Sequence, residues 1–203
     1  AAGSAGAMVR LGHHYLSGTG VSKDYAEAHG LFLQASVLGS ADADVGLGYL
    51  YQAELIAGSP DRSAGYWYQR AARAGNVEGQ LRWARLLLDQ QQVLKARSWF
   101  AAAARQNSVA GHNSLAWLLA TFNDARLRDG PRALVHAQAA VDAQPSPGHL
   151  DTLAAAYAET GQFAQAVSTQ RQALAALATS DAGLRGELER HLQSYRQAQV
   201  WRE

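Results

Sequence analysis

The sequence predicts an all-α fold: a right-handed α-solenoid of five helical hairpins closed by a C-terminal capping helix. Three observations carry this. A short phrase, a large apolar residue followed by a small one, recurs as Leu11-Gly12, Leu47-Gly48, Trp83-Ala84, Leu115-Ala116 and Leu153-Ala154, at steps of 36, 36, 32 and 38 residues. A second small residue follows each phrase, at Ala28, Ala64, Ala96, Ala133 and Ala166. Self-similarity at this period marks stacked helix pairs, in which each repeat buries its apolar face only against its neighbours. Composition agrees: 42 alanines and 4 prolines in 203 residues favour helix throughout, and no run of alternating β-branched residues signals a strand.

The elements follow in order. The first helix spans Ala5 to Ser17, and the loop from Gly18 to Lys23 leads to Asp24, an N-cap type, ahead of a helix ending near Gly39. The second hairpin starts at Ala41, breaks at Gly58-Ser59-Pro60, and runs from about Pro60 to Ala74 before Gly75. Proline is tolerated in a first helical turn because its missing N–H would have no partner there. The third pairs Val77–Asp89 with Gln92–Gln106; the fourth pairs Val109–Phe122 with Pro131–Ala143 across a loop at Asn123–Gly130. That loop carries Asp124, Arg126, Arg128 and Asp129, which places it in solvent. The fifth begins after Pro145-Ser146-Pro147, turns at Gly161 and ends near Ala178. In the last segment, Leu184, Leu188, His191/Leu192 and Tyr195 fall on one helical stripe, as a cap sealing the end of a stack requires.

Within this pattern, Asp24-Tyr25-Ala26-Glu27-Ala28, preceded by Leu11-Gly12-His13-His14-Tyr15-Leu16-Ser17-Gly18-Thr19-Gly20-Val21, resembles a Sel1-like repeat. Gly39-Ser40-Ala41-Asp42-Ala43 with Leu47-Gly48-Tyr49-Leu50-Tyr51, and Trp67-Tyr68 with Ala71-Ala72 and Gly75-Asn76, resemble a second. Leu153 to Gly161 with Phe163, Ala166 and Ala173 is similar to a tetratricopeptide repeat, as is Leu115 to Ala120 with Ala133 and Ala140. From phrase to second alanine the step is 17 residues in the first two repeats, 13 in the third and fifth, and 18 in the fourth. The expected division is two Sel1-like repeats over 1–75, three tetratricopeptide-like repeats over 76–180 and a capping helix over 181–203, as one continuous solenoid. The chain also starts inside the pattern, since Ala1-Ala2-Gly3-Ser4-Ala5 matches Ala71-Ala72 and Gly75-Asn76; a native leader or lipid anchor upstream is therefore expected.

Catalytic templates fail one by one. With no cysteine, thiol catalysis, disulfides and zinc-thiolate sites are excluded. His13 and His14 are adjacent, so a helix points them about 100° apart and they cannot share a metal as an i, i+4 pair does. Gly18-Thr19-Gly20 and Gly46-Leu47-Gly48 follow no strand, which sets aside a phosphate cradle. No Gly-x-Ser-x-Gly elbow occurs, and no pair of carboxylates is marked out for acid–base work. The reading is a non-enzyme with no cofactor and no metal site. No apolar run approaches the ~20 residues that span a bilayer. The net charge of +1 conceals a basic middle, with 8 basic and 3 acidic side chains over 61–105. Arg62, Arg70, Arg73, Arg82, Arg85, Arg97 and Arg105 fall on several helix faces, however, which disfavours nucleic acid. Trp67, Tyr68, Trp99 and Phe100 read as packing between helices, and Trp83 as a replacement for a core leucine.

One constellation points to binding. Equivalent positions on the first helices of the hairpins, two residues before each phrase and two, five and six after its start, project onto the concave wall. They include His13, Tyr49, Gln52, Arg85, Asp89, Asn113, Trp117, Asp151 and Glu159. Tyrosine, tryptophan and arginine dominate binding hot spots, and Arg85 and Trp117 are expected side by side. The expected function is an adaptor that captures a protein or peptide segment in this groove. What the resemblance implies further is a bacterial envelope role, periplasmic or anchored as an outer-membrane lipoprotein, with a cell-wall enzyme such as a peptidoglycan synthase as partner. A glycan-binding accessory of exopolysaccharide or cell-wall assembly, and a cytoplasmic scaffold or secretion chaperone, are the alternatives.

Overall fold

The structure is a computed structural model that describes residues 4–57, 63–178 and 181–202. It is all-helical among those residues, as the repeat predicts. The helices are α1 (Ala5–Ser17), α2 (Tyr25–Val37), α3 (Ala41–Gln52), α4 (Ala64–Arg73), α5 (Val77–Asp89), α6 (Val93–Arg105), α7 (Val109–Thr121), α8 (Gly130–Ala143), α9 (Pro147–Glu159), α10 (Phe163–Ala176) and α11 (Ala182–Arg196). The expected boundaries hold within a few residues. The proposed start of the fourth helix at Pro60 lies outside the described residues.

A local device sets the phase of each hairpin. Ser4, Ser40, Asn76, Ser108 and Ser146 are the N-caps of α1, α3, α5, α7 and α9, each accepting a backbone N–H of the first turn through its side chain. Every cap stands seven residues before its apolar-small phrase. Satisfying orphan N–H groups at that fixed offset pins the start of the helix, so the phrase falls on the same face each time. Gly39 and Gly75, just before two of these caps, take left-handed φ values of 86° and 85°, where a side chain would be strained.

The chain divides into two compact units, 1–99 and 100–203. In the first, α1 packs on α2, α3 on α4 and α4 on α5, with α1 also against α3 and α3 against α5. Its core is built on Phe32, Leu47, Leu50 and Trp67. The small member of the phrase is required here: a Cβ on Gly12 would lie 2.7 Å from the Phe32 ring, and one on Gly48 would overlap Tyr68. A polar network is buried beside this core. Ser36 Oγ donates to Asp44 at 2.6 Å, Arg70 reaches the same carboxylate at 3.3 Å and the Ser36 carbonyl at 2.8 Å, and its guanidinium lies 5.5 Å from the Trp67 ring centre. Burial pushes the Asp44 carboxyl above its ordinary range, against the pull of Ser36 and Arg70.

In the second unit α7 packs on α8 and α9, α9 on α10, and α11 on α10 and α9. Gly111 lets α7 approach α6, since a Cβ there would lie 2.7 Å from the Ala104 nitrogen. The capping stripe is seated as expected, with Leu188, His191, Leu192 and Tyr195 buried. Leu184, in the first turn of α11, is instead exposed. Trp67, Tyr68 and Phe100 are buried as packing residues, whereas Trp99 and Trp83 are only partly covered. The loop at 123–130 departs from expectation at one residue. Asp124 and Arg126 pair with each other in solvent around a 3-10 turn at Ala125–Leu127, but Arg128 turns inward to Glu159 at 2.9 Å, where the carboxylate offsets the cost of burying its charge.

Candidate functional site

The nine groove candidates separate by unit. His13, Tyr49, Gln52, Arg85 and Asp89, on α1, α3 and α5 of the first unit, are all solvent-exposed. Tyr49 keeps 40% of its surface in water although it is a large aromatic. His13 sets its ring edge-on to Phe32 at 5.2 Å, and burial on that side lowers its pKa, against the nearby Asp42 carboxylate. Its neighbour His14 turns away, as helix geometry requires, and hydrogen-bonds the Thr19 carbonyl through Nδ1 at 2.8 Å. Gln52 accepts from the Tyr68 hydroxyl at 2.8 Å; burial pushes that phenol up to about 12, so it remains a donor. These exposed positions offer an aromatic, a guanidinium, a carboxylate, an imidazole and an amide, side-chain types suited to hydrogen-bonding and stacking.

The second unit is arranged differently. Asn113, Trp117 and Glu159 are partly covered and Asp151 is buried at 8% exposure. Asp151 faces inward, where it accepts from Gln170 Nε2 at 2.6 Å and from His191 Nδ1 at 2.8 Å. A carboxylate only accepts, so His191 holds its proton on Nδ1. The His191 ring touches two indoles, tilted to each, 5.8 Å from Trp117 and 4.4 Å from Trp201 by ring centres. Glu159 takes Arg128 Nε on one oxygen at 2.9 Å and Arg202 Nη2 on the other at 2.7 Å. Arg202 Nη1 also donates to the Ala120 carbonyl at 3.1 Å. Asp151 and Trp117 are therefore engaged by α11, and Glu159 by Arg128 and the segment after α11.

The expected open ladder is thus corrected in this half. An aspartate at the wall position reads the same in sequence whether it faces solvent or a partner 40 residues away. His191, Trp201, Arg202 and Arg128 are functional candidates that sequence reasoning passed over. Val200-Trp201, an apolar pair beyond the last stripe residue Tyr195, is the sequence signal that this segment packs. Arg85 belongs to the first unit and Trp117 to the second.

Of the basic residues over 61–105, Arg70 is committed to Asp44 and Arg82 to Glu78 at 2.6 Å. Among the described residues no helix is long and apolar enough to cross a membrane.

Comparison with known proteins gives the lineage. The model of the Sel1 repeat matches residues 5–40, 41–76 and 78–108, just over half of the chain. The third hairpin, read from its short loop as tetratricopeptide-like, therefore matches the Sel1 model too. Two solved structures share the fold. The Sel1 repeat protein from Oxalobacter formigenes superposes with a TM-score of 0.74 at 17% identity, over 98% of this chain and 80% of that one. The protein c5321, a protective antigen present in uropathogenic Escherichia coli strains and displaying an SLR fold, gives 0.70 at 23% identity, over 98% of this chain and 43% of its own length. With three repeats matched in succession, the chain belongs to the Sel1 repeat family, whose members generally act as protein–protein interaction scaffolds rather than catalysts.

Proposed function

We propose that the chain is a non-enzymatic adaptor that captures a peptide segment of a protein partner on the inner wall of its first unit, at His13, Tyr49, Gln52, Arg85 and Asp89. The observation that carries this reading is the contrast between the units. Equivalent positions are open in the first unit and partly or fully covered in the second, so the first has more surface left for a partner. Tyr49 supplies a rigid aromatic anchor at low entropic cost, and Arg85 a charge-assisted, forked bond to a carboxylate or carbonyl. The setting we propose is the bacterial envelope, with the partner an enzyme of cell-wall synthesis; the resemblance to mixed Sel1 and tetratricopeptide envelope proteins supports it.

A photo-crosslinking residue at Tyr49, compared with one at the 86% exposed Val37 on α2, tests the docking wall in cells carrying the native gene. A discrete protein adduct from position 49, absent from position 37 and lost on Arg85→Ala, is the expected result. Equal adducts from both positions overturn the wall. A chain found only in the cytosolic fraction of the same cells overturns the envelope setting. Quenching of tryptophan fluorescence by muropeptides, with no protein adduct, would replace the peptide by a glycan.

A further inference from the structure

The segment after α11 departs from the helical plan. Ala198 turns the chain at a φ of 54°, and Val200, Trp201 and Arg202 then run without regular structure. Their hold on the unit comes from side chains. Trp201 packs against His191 with ring centres 4.4 Å apart and planes inclined by 51°; Arg202 forms an ion pair with the Glu159 carboxylate at 2.7 Å and donates to the Ala120 carbonyl at 3.1 Å. Among the described residues, no backbone N–H of 200–202 bonds another backbone group. The receiving surface is built independently of this segment. Arg128 fixes one oxygen of Glu159 and is itself held by the Phe122 and Asn123 carbonyls at 2.9 Å each. Asp151 orients His191, and Trp117 backs it.

We propose that this pocket of Glu159, the Ala120 carbonyl and the His191–Trp117 ring pair is a receptor for an aromatic–arginine step on an extended segment of a partner protein, and that Trp201-Arg202 fills it in cis until displaced. The chemistry selects this occupant. A carboxylate with one oxygen left by Arg128, set beside the Ala120 carbonyl, takes two edges of a guanidinium. The imidazole face beside it takes an aromatic ring. Cis occupancy reduces apparent affinity by the fraction of time the pocket is empty, so binding in trans is gated. The proposal rests on the reading of the chain as a binder of protein segments, but on a surface separate from the Tyr49 wall.

The test uses a fluorescein-labelled, amidated peptide with the sequence of residues 197–202 as probe, read by anisotropy against the whole chain. The Trp201→Ala/Arg202→Ala variant vacates the pocket and should bind the probe roughly tenfold or more tightly than the parent. Adding Glu159→Gln to that variant should remove the gain, and a probe with its Trp and Arg both replaced by Ala should not bind. A vacated variant of parental helicity that binds no better than the parent overturns the proposal. Should the variant lose helicity, the parent labelled with 5-fluorotryptophan decides. Saturating probe must shift the Trp201 fluorine resonance, assigned with Trp201→Phe, and an unmoved resonance overturns the proposal. Concentration-dependent dimers of the parent that vanish in the vacated variant would assign the occupant to a second copy, and so overturn a partner segment. The Tyr49 crosslinks report the first unit alone, so failure here leaves that result standing, and the reverse.

Discussion

Replacing Asp151 by alanine should unfold this protein far sooner than a surface aspartate could. The carboxylate is 8% exposed and accepts two hydrogen bonds, from Gln170 at 2.6 Å and His191 at 2.8 Å. Hydrogen bonds to a charged group contribute about 1.5–3 kcal/mol each, and orphaned buried donors add their own desolvation cost. Gln170 keeps a second bond, to the Leu188 carbonyl at 3.1 Å, so its loss is partly cushioned, while His191 Nδ1 has no other partner among its hydrogen bonds. The expected loss is about 3–4 kcal/mol. At about 2–4 °C per kcal/mol for a chain of this size, the melting temperature should fall by roughly 10 °C. Asp151→Asn keeps one acceptor oxygen and should lose about half as much. Asp142→Ala, at an exposed carboxylate bonded only to Gln138, should stay within about 0.5 kcal/mol of the parent. Urea unfolding followed by circular dichroism measures all three, with an unchanged m-value confirming that the native state is the one altered. If Asp151→Ala matches Asp142→Ala, the carboxylate is a wall group facing solvent and the inward network is wrong.

Other perturbations read other parts of the fold. Gly12→Ala should cost about 1–3 kcal/mol, because the new Cβ meets the fully buried Phe32 ring at 2.7 Å, whereas Gly148→Ala, with nothing within 4 Å of its Cβ on α9, should stabilise by about 0.5–1 kcal/mol; thermal melts compare them. Tyr49→Ala and Arg85→Ala should each leave the melting temperature within about 2 °C of the parent while weakening the crosslinked partner roughly thirtyfold, about 2 kcal/mol; a matching loss of stability would make them structural. His136 is held below its ordinary pKa by burial, then by His112 at 2.9 Å and by Arg132. The folded state therefore binds fewer protons than the unfolded one just below pH 6.5, and stability should rise with pH through that window and fall as the solution is acidified. His136→Gln should flatten the slope between about pH 5 and 7, and an unchanged slope would assign it elsewhere.

The hairpin plan was written locally and could be read locally. A phrase such as Leu47-Gly48 recurs because the neighbouring helix needs a small residue to approach, and at Gly12 and Gly48 the Phe32 and Tyr68 rings leave no room even for a Cβ; a cap such as Ser40 or Asn76 works on N–H groups within its own first turn. Such signals lie within one repeat, so helix limits, the glycine turn at Gly75 and the amphipathic stripe of α11 followed from residue type and spacing. The state of the wall did not. His13, Tyr49, Gln52, Arg85 and Asp89 are exposed, yet the same positional rule put Asp151 and Glu159 alongside them, and tertiary structure took those inward. Arg202 reaches the Ala120 carbonyl across 82 residues and His191 reaches Asp151 across 40. No period or cap encodes a pairing at that separation. Helix formation is decided by neighbours within a turn or two, whereas the fate of a charge on a helix face depends on which distant partner the completed fold delivers to it, and only the packed second unit decides that.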